Sequence, residues 1–164
     1  MNVASDKTLS FVIPVYNEEA AVGPFLDGMA DVLGQIEARG YRVELLFVDD
    51  GSGDGTLAAL TDLVARDRRV RVLEFSRNFG KEAALTAGLD AARGDALIPI
   101  DVDLQDPPQV ILDLIDAWEQ GYEVVLGHRT DRASDSPLKR LSAQWFYRVV
   151  NAVADTPVDR KSVV

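Results

Sequence analysis

The chain has 164 residues and a formal net charge of −10, with 47% hydrophobic and 27% charged residues. Its length and composition suit one globular domain, and the acidic charge argues against a nucleic-acid-binding protein, which needs a basic surface. The chain contains no cysteine and one histidine, so it has no disulfides and any bound metal is expected to be a hard cation on carboxylates.

Short apolar runs alternate with segments of helical periodicity along the chain. The predicted strands are residues 9–16, 43–48, 70–75, 96–100 and 122–127. The predicted helices are residues 18–39, 56–66, 81–92 and 107–118. Strict alternation of strand and helix predicts an α/β fold, with a mostly parallel sheet that is covered by helices on both faces. In such sheets, ligands bind beyond the carboxyl ends of the strands.

The second predicted strand is followed by two acids and a glycine-rich turn. Such a turn needs only one of these acids, so Asp49 or Asp50 could instead accept a hydrogen bond from a nucleobase or ribose. The alternative is purely structural, because Ser52 or Asp54 in the same loop can cap the next helix.

The first and third predicted strands are also followed by polar residues. Tyr16, Asn17 and Glu18 fit a capped helix start, but the ring of Tyr16 would also offer a flat surface to a nucleobase. Arg77 and Lys81 come just before a helix, where cations either meet phosphate or form surface salt bridges.

The fourth predicted strand ends in a pair of acids. Asp101 and Asp103 are two residues apart, so both carboxylates point to the same side of an extended segment. Two like charges held close together need a cation or a proton, and a divalent Mg²⁺ or Mn²⁺ that bridges a diphosphate would supply one. Alternatively, Asp103 or Asp106 only caps the helix that begins at Pro107.

Four motifs together resemble those of the inverting family 2 glycosyltransferases of GT-A fold. Within that family, the chain is most similar to bacterial polyprenyl-phosphate glycosyltransferases related to dolichol-phosphate mannose synthase. The resemblance runs from about residue 9 to residue 151. The motifs occupy residues 14–18 (PVYNE), 48–52 (VDDGS), 76–81 (SRNFGK) and 101–108 (DVDLQDPP).

Together with the reasoning above, the resemblance implies a nucleotide-sugar site with a metal ion, Mg²⁺ or Mn²⁺. The metal ligands would be Asp101, Asp103 and Gln105, and Asp103 and Arg129 would act in catalysis. Arg129 resembles an arginine that meets the acceptor phosphate, and Arg132, Lys139 and Arg140 more loosely resemble its basic neighbours. The residues expected to bind the nucleotide sugar are Pro14, Tyr16, Asn17, Glu18, Asp49, Asp50, Arg77, Lys81, Asp101, Val102 and Asp103.

The implied function is metal-dependent, inverting transfer of a sugar from a nucleotide diphosphate sugar to a polyprenyl phosphate of undecaprenyl type. UDP-glucose is the preferred donor, with GDP-mannose as the alternative. A sugar nucleotidyltransferase is a competing interpretation, although it would carry a glycine-rich basic loop where this chain has residues 16–19. A phospho-receiver domain and a catalytically incomplete nucleotide-binding module are two others.

We expect three segments: a catalytic domain (1–135), an amphipathic helix (136–154) and an atypical tail (155–164) that suggests truncation. Residues 137–153 place an apolar stripe opposite basic residues, which is typical of a helix on an anionic membrane surface. Packing of that stripe on the sheet is the alternative. No signal peptide or membrane-spanning run is evident, so we expect a cytoplasmic protein at the inner face of the membrane. The full-length protein would be membrane-anchored and could form oligomers.

Overall fold

The computed structural model describes residues 7–104 and 107–127, in which strands and helices alternate. The strands are β1 (Thr8–Val15), β2 (Arg42–Asp49), β3 (Val70–Glu74) and β4 (Ala96–Pro99). The helices are α1 (Glu19–Ala38), α2 (Thr56–Arg66), α3 (Lys81–Ala91) and α4 (Val110–Glu119). Each of these eight elements was predicted to within three residues at either end. The chain divides into two compact units, Met1–Ile115 and Asp116–Val164, and the sheet belongs to the first.

The four strands form one parallel sheet in the order β3-β2-β1-β4. Val15 pairs with Asp49, and Asp49 pairs with Glu74, so the first three strands end at the same level. The chain builds outward from β1 to β3 and then returns to the other side of β1 for β4. This reversal places a topological switch point between β1 and β4, where open α/β sheets bind their ligands.

Helices cover both faces of the sheet, as predicted. On one face, Phe25 of α1 packs edge-on against Phe47 of β2, with 5.8 Å between the ring centroids. On the other face, Gly88 of α3 lies so close to Val12 and Val48 that a Cβ there would be 2.4 Å and 2.9 Å from their methyl groups. Because β1 and β2 are buried on both faces, they consist of nearly continuous apolar residues.

The prediction of a fifth strand at residues 122–127 is wrong for the structure described here, which assigns no strand between residues 121 and 127. Tyr122, Val124 and Leu126 are 61%, 75% and 69% exposed. A run of β-prone residues becomes a strand only when another strand pairs with it and its side chains are buried. Neither condition is met among the described residues.

A buried carboxylate joins the strands at the amino end of the sheet. Glu44 of β2 accepts hydrogen bonds from the Ser10 hydroxyl, the Arg71 guanidinium and, at 3.0 Å, the backbone N–H of Arg93. Burial raises the pKa of Glu44, but these three hydrogen bonds together outweigh it and leave that pKa below its ordinary value. Glu44 therefore connects β1 and β3 to the turn that follows α3.

Replacement of Glu44 by Gln should destabilise the chain most at neutral pH. A carboxyl whose pKa is lowered by folding stabilises the native state above its unfolded pKa, and that contribution is lost as the pH falls through the folded pKa. We expect a loss of about 1–3 kcal/mol at pH 7, typical of hydrogen bonds to a charged group, and a smaller loss at pH 3. Urea unfolding at both pH values measures the free energy of unfolding, and Glu123→Gln, at an exposed position, is the control. An equal loss at both pH values would contradict this role of the charge.

Candidate functional site

A cavity of about 300 Å³ opens at the carboxyl end of the sheet, at the switch point between β1 and β4. Its walls come from the carboxyl end of β1 and the residues just after it, from the segments that follow β2, β3 and β4, and from the first turn of α3. This volume lies at the lower end of the range for small-molecule sites. The lining residues are Pro14, Val15, Tyr16, Glu18, Asp50, Asn78, Gly80, Lys81, Ala84, Asp101, Val102 and Asp103.

The structure brings together most of the residues that the sequence singled out. Three others, Asn17, Asp49 and Arg77, are described but are not among the lining residues, whereas Gln105 and Arg129 lie outside the described residues. The predicted residues that line the cavity are Pro14, Tyr16, Glu18, Asp50, Lys81, Asp101, Val102 and Asp103.

Four lining residues were not predicted. Val15, Asn78 and Gly80 lie inside or directly beside the motifs, so proximity to these motifs was the available signal. Gly80 also has a φ of +97°, a conformation that favours glycine at the start of α3. Ala84 lies one turn further along α3 and gave no signal, because a small buried residue in a helix looks like ordinary core.

Asn17 connects the end of β1 to the loop after β2, and Asp49 forms hydrogen bonds within that loop. Asn17, in the left-handed region with φ +55°, accepts a hydrogen bond from the Gly53 N–H at 2.8 Å and donates its own N–H to the Ser52 hydroxyl at 2.9 Å. The buried Asp49 carboxylate accepts hydrogen bonds from the N–H and the hydroxyl of Ser52. Asn17 thus fixes the loop after β2 against the end of β1, whereas Asp49 stabilises the turn within that loop. A role for either in nucleotide binding stays a prediction.

The start of α2 is part of the same network. Asp54 accepts hydrogen bonds from the Thr56 hydroxyl at 2.5 Å and the Thr56 N–H at 3.0 Å, so it holds the first residue of this helix. The N-cap itself is Gly55, which makes no side-chain cap hydrogen bond, so the structural alternative of an Asp54 or Ser52 cap is wrong in its detail. The hydroxyl hydrogen bond lowers the pKa of Asp54. The Thr56 oxygen in turn accepts the N–H of Glu18 at 2.8 Å. This contact holds the loop after β1 at the cavity.

Asp50 connects the loop after β2 to the loop that enters α3. Its buried carboxylate accepts the N–H of Phe79 at 2.7 Å through one oxygen and the N–H of Gly80 at 2.9 Å through the other. Each carboxylate oxygen has two acceptor positions, so these two bonds leave capacity for a ligand group. Asp50 therefore shapes the cavity wall and also faces the cavity.

Arg77 lies beside the cavity wall on an aromatic surface. Its guanidinium is 4.5 Å from the ring centroid of Phe79, which is half-exposed and packs edge-on against Phe75 at 5.5 Å. Such a contact holds the cation by attraction to the ring face. The predicted contact between Arg77 and phosphate is untested by this arrangement and stays a prediction.

Asp101 and Asp103 both line the cavity, and the buried Val102 between them anchors the segment. Asp103 is not the cap of the following helix, because α4 begins at Val110. The Nζ atom of Lys81 lies 2.7 Å from Oδ1 of Asp101, so one of these two acids already contacts a cation.

A divalent cation is compatible with these acids, although the described residues do not form a complete metal site. Two carboxylates on one cavity wall, one of which attracts an ammonium group, suit a hard cation with oxygen ligands. Within residues 7–104 and 107–127, no cluster of three or more acidic, histidine or cysteine side chains could hold a metal ion. The third predicted ligand, Gln105, lies outside those residues.

The described part of the chain, residues 7–104 and 107–127, contains no helix with the length and hydrophobicity needed to cross a membrane.

Residues 10–160 match the model of a family described as "Glycosyl transferase family 2". The chain is 46% identical over 151 residues to the "Prophage bactoprenol glucosyl transferase homolog" of Escherichia coli strain K12, which covers 92% of this chain and 48% of that protein. The figures are the same for the "Bactoprenol glucosyl transferase" of Shigella phage SfV. The chain thus spans about half the length of the curated relatives it matches.

Solved structures of low sequence identity share the fold. Mannosyl-3-phosphoglycerate synthase from Rubrobacter xylanophilus superposes with a TM-score of 0.63 at 22% identity, over 87% of this chain and 47% of that one. A mannosyltransferase from Pyrobaculum calidifontis, solved with GDP-Man and Mn²⁺, gives 0.52 at 22% identity, over 63% of this chain and 34% of that one. These matches, the family model and the parallel sheet confirm the predicted resemblance: the chain belongs to glycosyl transferase family 2 and has the GT-A fold.

Proposed function

We propose that this chain is the nucleotide-sugar-binding part of a metal-dependent, inverting glycosyltransferase. Its donor is UDP-glucose and its acceptor is a polyprenyl phosphate of undecaprenyl type. The observation that carries the proposal is the cavity at the switch point, where the end of β1, the segments after β2 and β4 and the start of α3 bring eight predicted site residues together. The names of the bactoprenol glucosyl transferases, at 46% identity, support the choice of sugar and lipid.

The donor binds with its nucleotide on the β1 and β2 side of the cavity and its diphosphate on the β4 side. The ring of Tyr16 is half-exposed at the cavity and provides a flat surface for the base. Asp50 accepts a hydrogen bond from the base or the ribose through its remaining acceptor positions. Asp101 and Asp103 hold the divalent ion. When bound, Mg²⁺ or Mn²⁺ neutralises the negative charge of the diphosphate leaving group.

The reaction needs alignment more than proton transfer. The acceptor phosphate is already anionic, so no general base has to remove a proton from it. One of its oxygens forms a bond to the anomeric carbon as the bond from that carbon to the donor diphosphate breaks, and the configuration inverts. The protein holds the two groups in line. Arg129, outside the described residues, is proposed to bind the acceptor phosphate.

Calorimetric titration with UDP tests the nucleotide site. We expect binding in the presence of Mn²⁺ and at least tenfold weaker binding in EDTA, because four carboxylates line the cavity and would repel the diphosphate. GDP, titrated in parallel with Mn²⁺, should bind more weakly than UDP. Equal UDP affinity with and without metal would contradict metal dependence, and a preference for GDP would favour the mannose donor.

We propose further that residues 137–153, within the segment 136–154, form an interfacial helix that brings the catalytic domain (1–135) to the inner face of the cell membrane. Residues 128–164 contain 7 Lys and Arg against 4 Asp and Glu, and this segment lies outside the described residues. We expect the chain to float with anionic liposomes at low salt. A Lys139/Arg140/Arg148 triple alanine variant should remain in the soluble fraction. Wild-type protein that does not float would contradict the proposal.

A further inference from the structure

The ion pair between Lys81 and Asp101 crosses the switch point. Lys81 is the first residue of α3, Asp101 follows β4, and the two side chains meet at 2.7 Å with both residues lining the cavity. The ammonium group therefore lies on one of the two carboxylates that the proposed divalent ion needs. A cation at this position competes with that ion.

The ion pair between Lys81 and Asp101 is weak enough to break when another cation binds Asp101. The two side chains are 62% and 51% exposed, and exposed ion pairs between such side chains are weak because water screens them. Lys81 also lies at the amino terminus of α3, where the helix dipole disfavours a positive charge. If Asp101 turned to another cation, the ammonium at this helix end would need a different anion.

The charges on the cavity wall show which anion that would be. Four of the described lining residues are acids, namely Glu18, Asp50, Asp101 and Asp103, and Lys81 is the one lining residue with a positive charge. A divalent ion without Lys81 would therefore leave the wall with a formal charge of about −2, and with Lys81 about −1, which still repels a diphosphate. The ammonium group of Lys81 can attract the diphosphate of the donor fully only when it no longer forms an ion pair with Asp101.

We infer that Lys81 is a displaceable counter-cation. In the donor-free protein it neutralises Asp101; when the divalent ion binds, Lys81 yields that carboxylate and contacts the diphosphate of the donor instead. This inference rests on the proposed function, since it needs both a metal ion and a diphosphate in the cavity. Removal of the Lys81 charge should therefore raise the affinity for Mn²⁺ and lower the affinity for UDP.

The test uses Lys81→Met, which keeps the unbranched side chain up to the position of Cε and removes the charged ammonium group. Electron paramagnetic resonance of free Mn²⁺ measures metal affinity without nucleotide, and we expect the variant to bind Mn²⁺ about two- to fivefold more tightly, the range for an exposed ion pair. Calorimetry at saturating Mn²⁺ measures UDP affinity, and we expect a loss of about tenfold or more, typical of a lost hydrogen bond to a charged group.

Arg66→Met is the matched control, because it removes one positive charge from an exposed pair with Asp62 on α2 and should leave both affinities unchanged. If Lys81→Met weakens both affinities, or leaves Mn²⁺ affinity as it was, the inference is overturned while the metal site stands. If wild type and Asp103→Asn bind Mn²⁺ equally poorly, the metal site is absent and the proposed function fails as well. Thermal melts confirm that each variant is folded.

Discussion

Asp103→Asn should abolish metal-dependent binding of UDP while leaving the melting temperature of the chain nearly unchanged. Asp103 is exposed at the cavity and does not cap α4, so we expect the core to stay folded when its charge is lost. Changes that only disturb the residues behind a metal's ligands cost about 10- to 100-fold in affinity, so loss of a direct ligand should cost at least about 100-fold. Calorimetry with Mn²⁺ and UDP measures the loss.

The matched control is Asp90→Asn, which makes the same change of charge at an exposed position of α3. It should bind UDP with Mn²⁺ as tightly as wild type. A fall of the Asp103→Asn melting temperature by more than a few degrees would assign Asp103 a structural role. Unchanged UDP binding in that variant would remove it from the metal site.

The order of the elements could be predicted from the sequence because each one carries its own local signal. β1 and β2 are apolar on both faces, and α1 repeats its buried residues Val22, Phe25 and Met29 at helical spacing. Residues 122–127 carry the same kind of signal and yet form no strand in the described structure. Pairing with a neighbouring strand is a long-range property, and a β-prone run contains no information about it.

The site was predictable as a location but not residue by residue. Asp49 and Asp50 are adjacent, so at the end of a strand their side chains leave in opposite directions, and sequence cannot say which one faces the ligand. In the structure Asp50 lines the cavity and Asp49 bonds to Ser52. Likewise, the partner of Asn17 is Gly53, 36 residues away. Hydrogen bonds between loops so distant in sequence leave no local pattern.

Gly51 is predicted to be the least replaceable residue of the loop after β2. Its φ is +69°, and a Cβ there would lie 2.3 Å from the carbonyl carbon of Arg77 and 2.7 Å from the backbone nitrogen of Asn78. Backbone atoms cannot move aside as a flexible side chain can. Left-handed strain and overpacking each cost about 1–3 kcal/mol, so we expect Gly51→Ala to lower the free energy of unfolding by about 2–5 kcal/mol.

The decrease should be visible as a fall in melting temperature of roughly 5–15 °C for a chain of this size. Gly53→Ala is the control in the same loop, because a Cβ at Gly53 meets only the Asn17 Oδ1 atom, at 4.0 Å. The Gly51 variant should also bind UDP more weakly even where it stays folded. A shift of the Arg77 backbone would move Gly80 and Lys81, which follow it closely in the chain and line the cavity. Equal melting temperatures for the two alanine variants would mean that the loops separate without cost. In that case the close approach of the loops after β2 and β3 at Gly51 would not stabilise the chain.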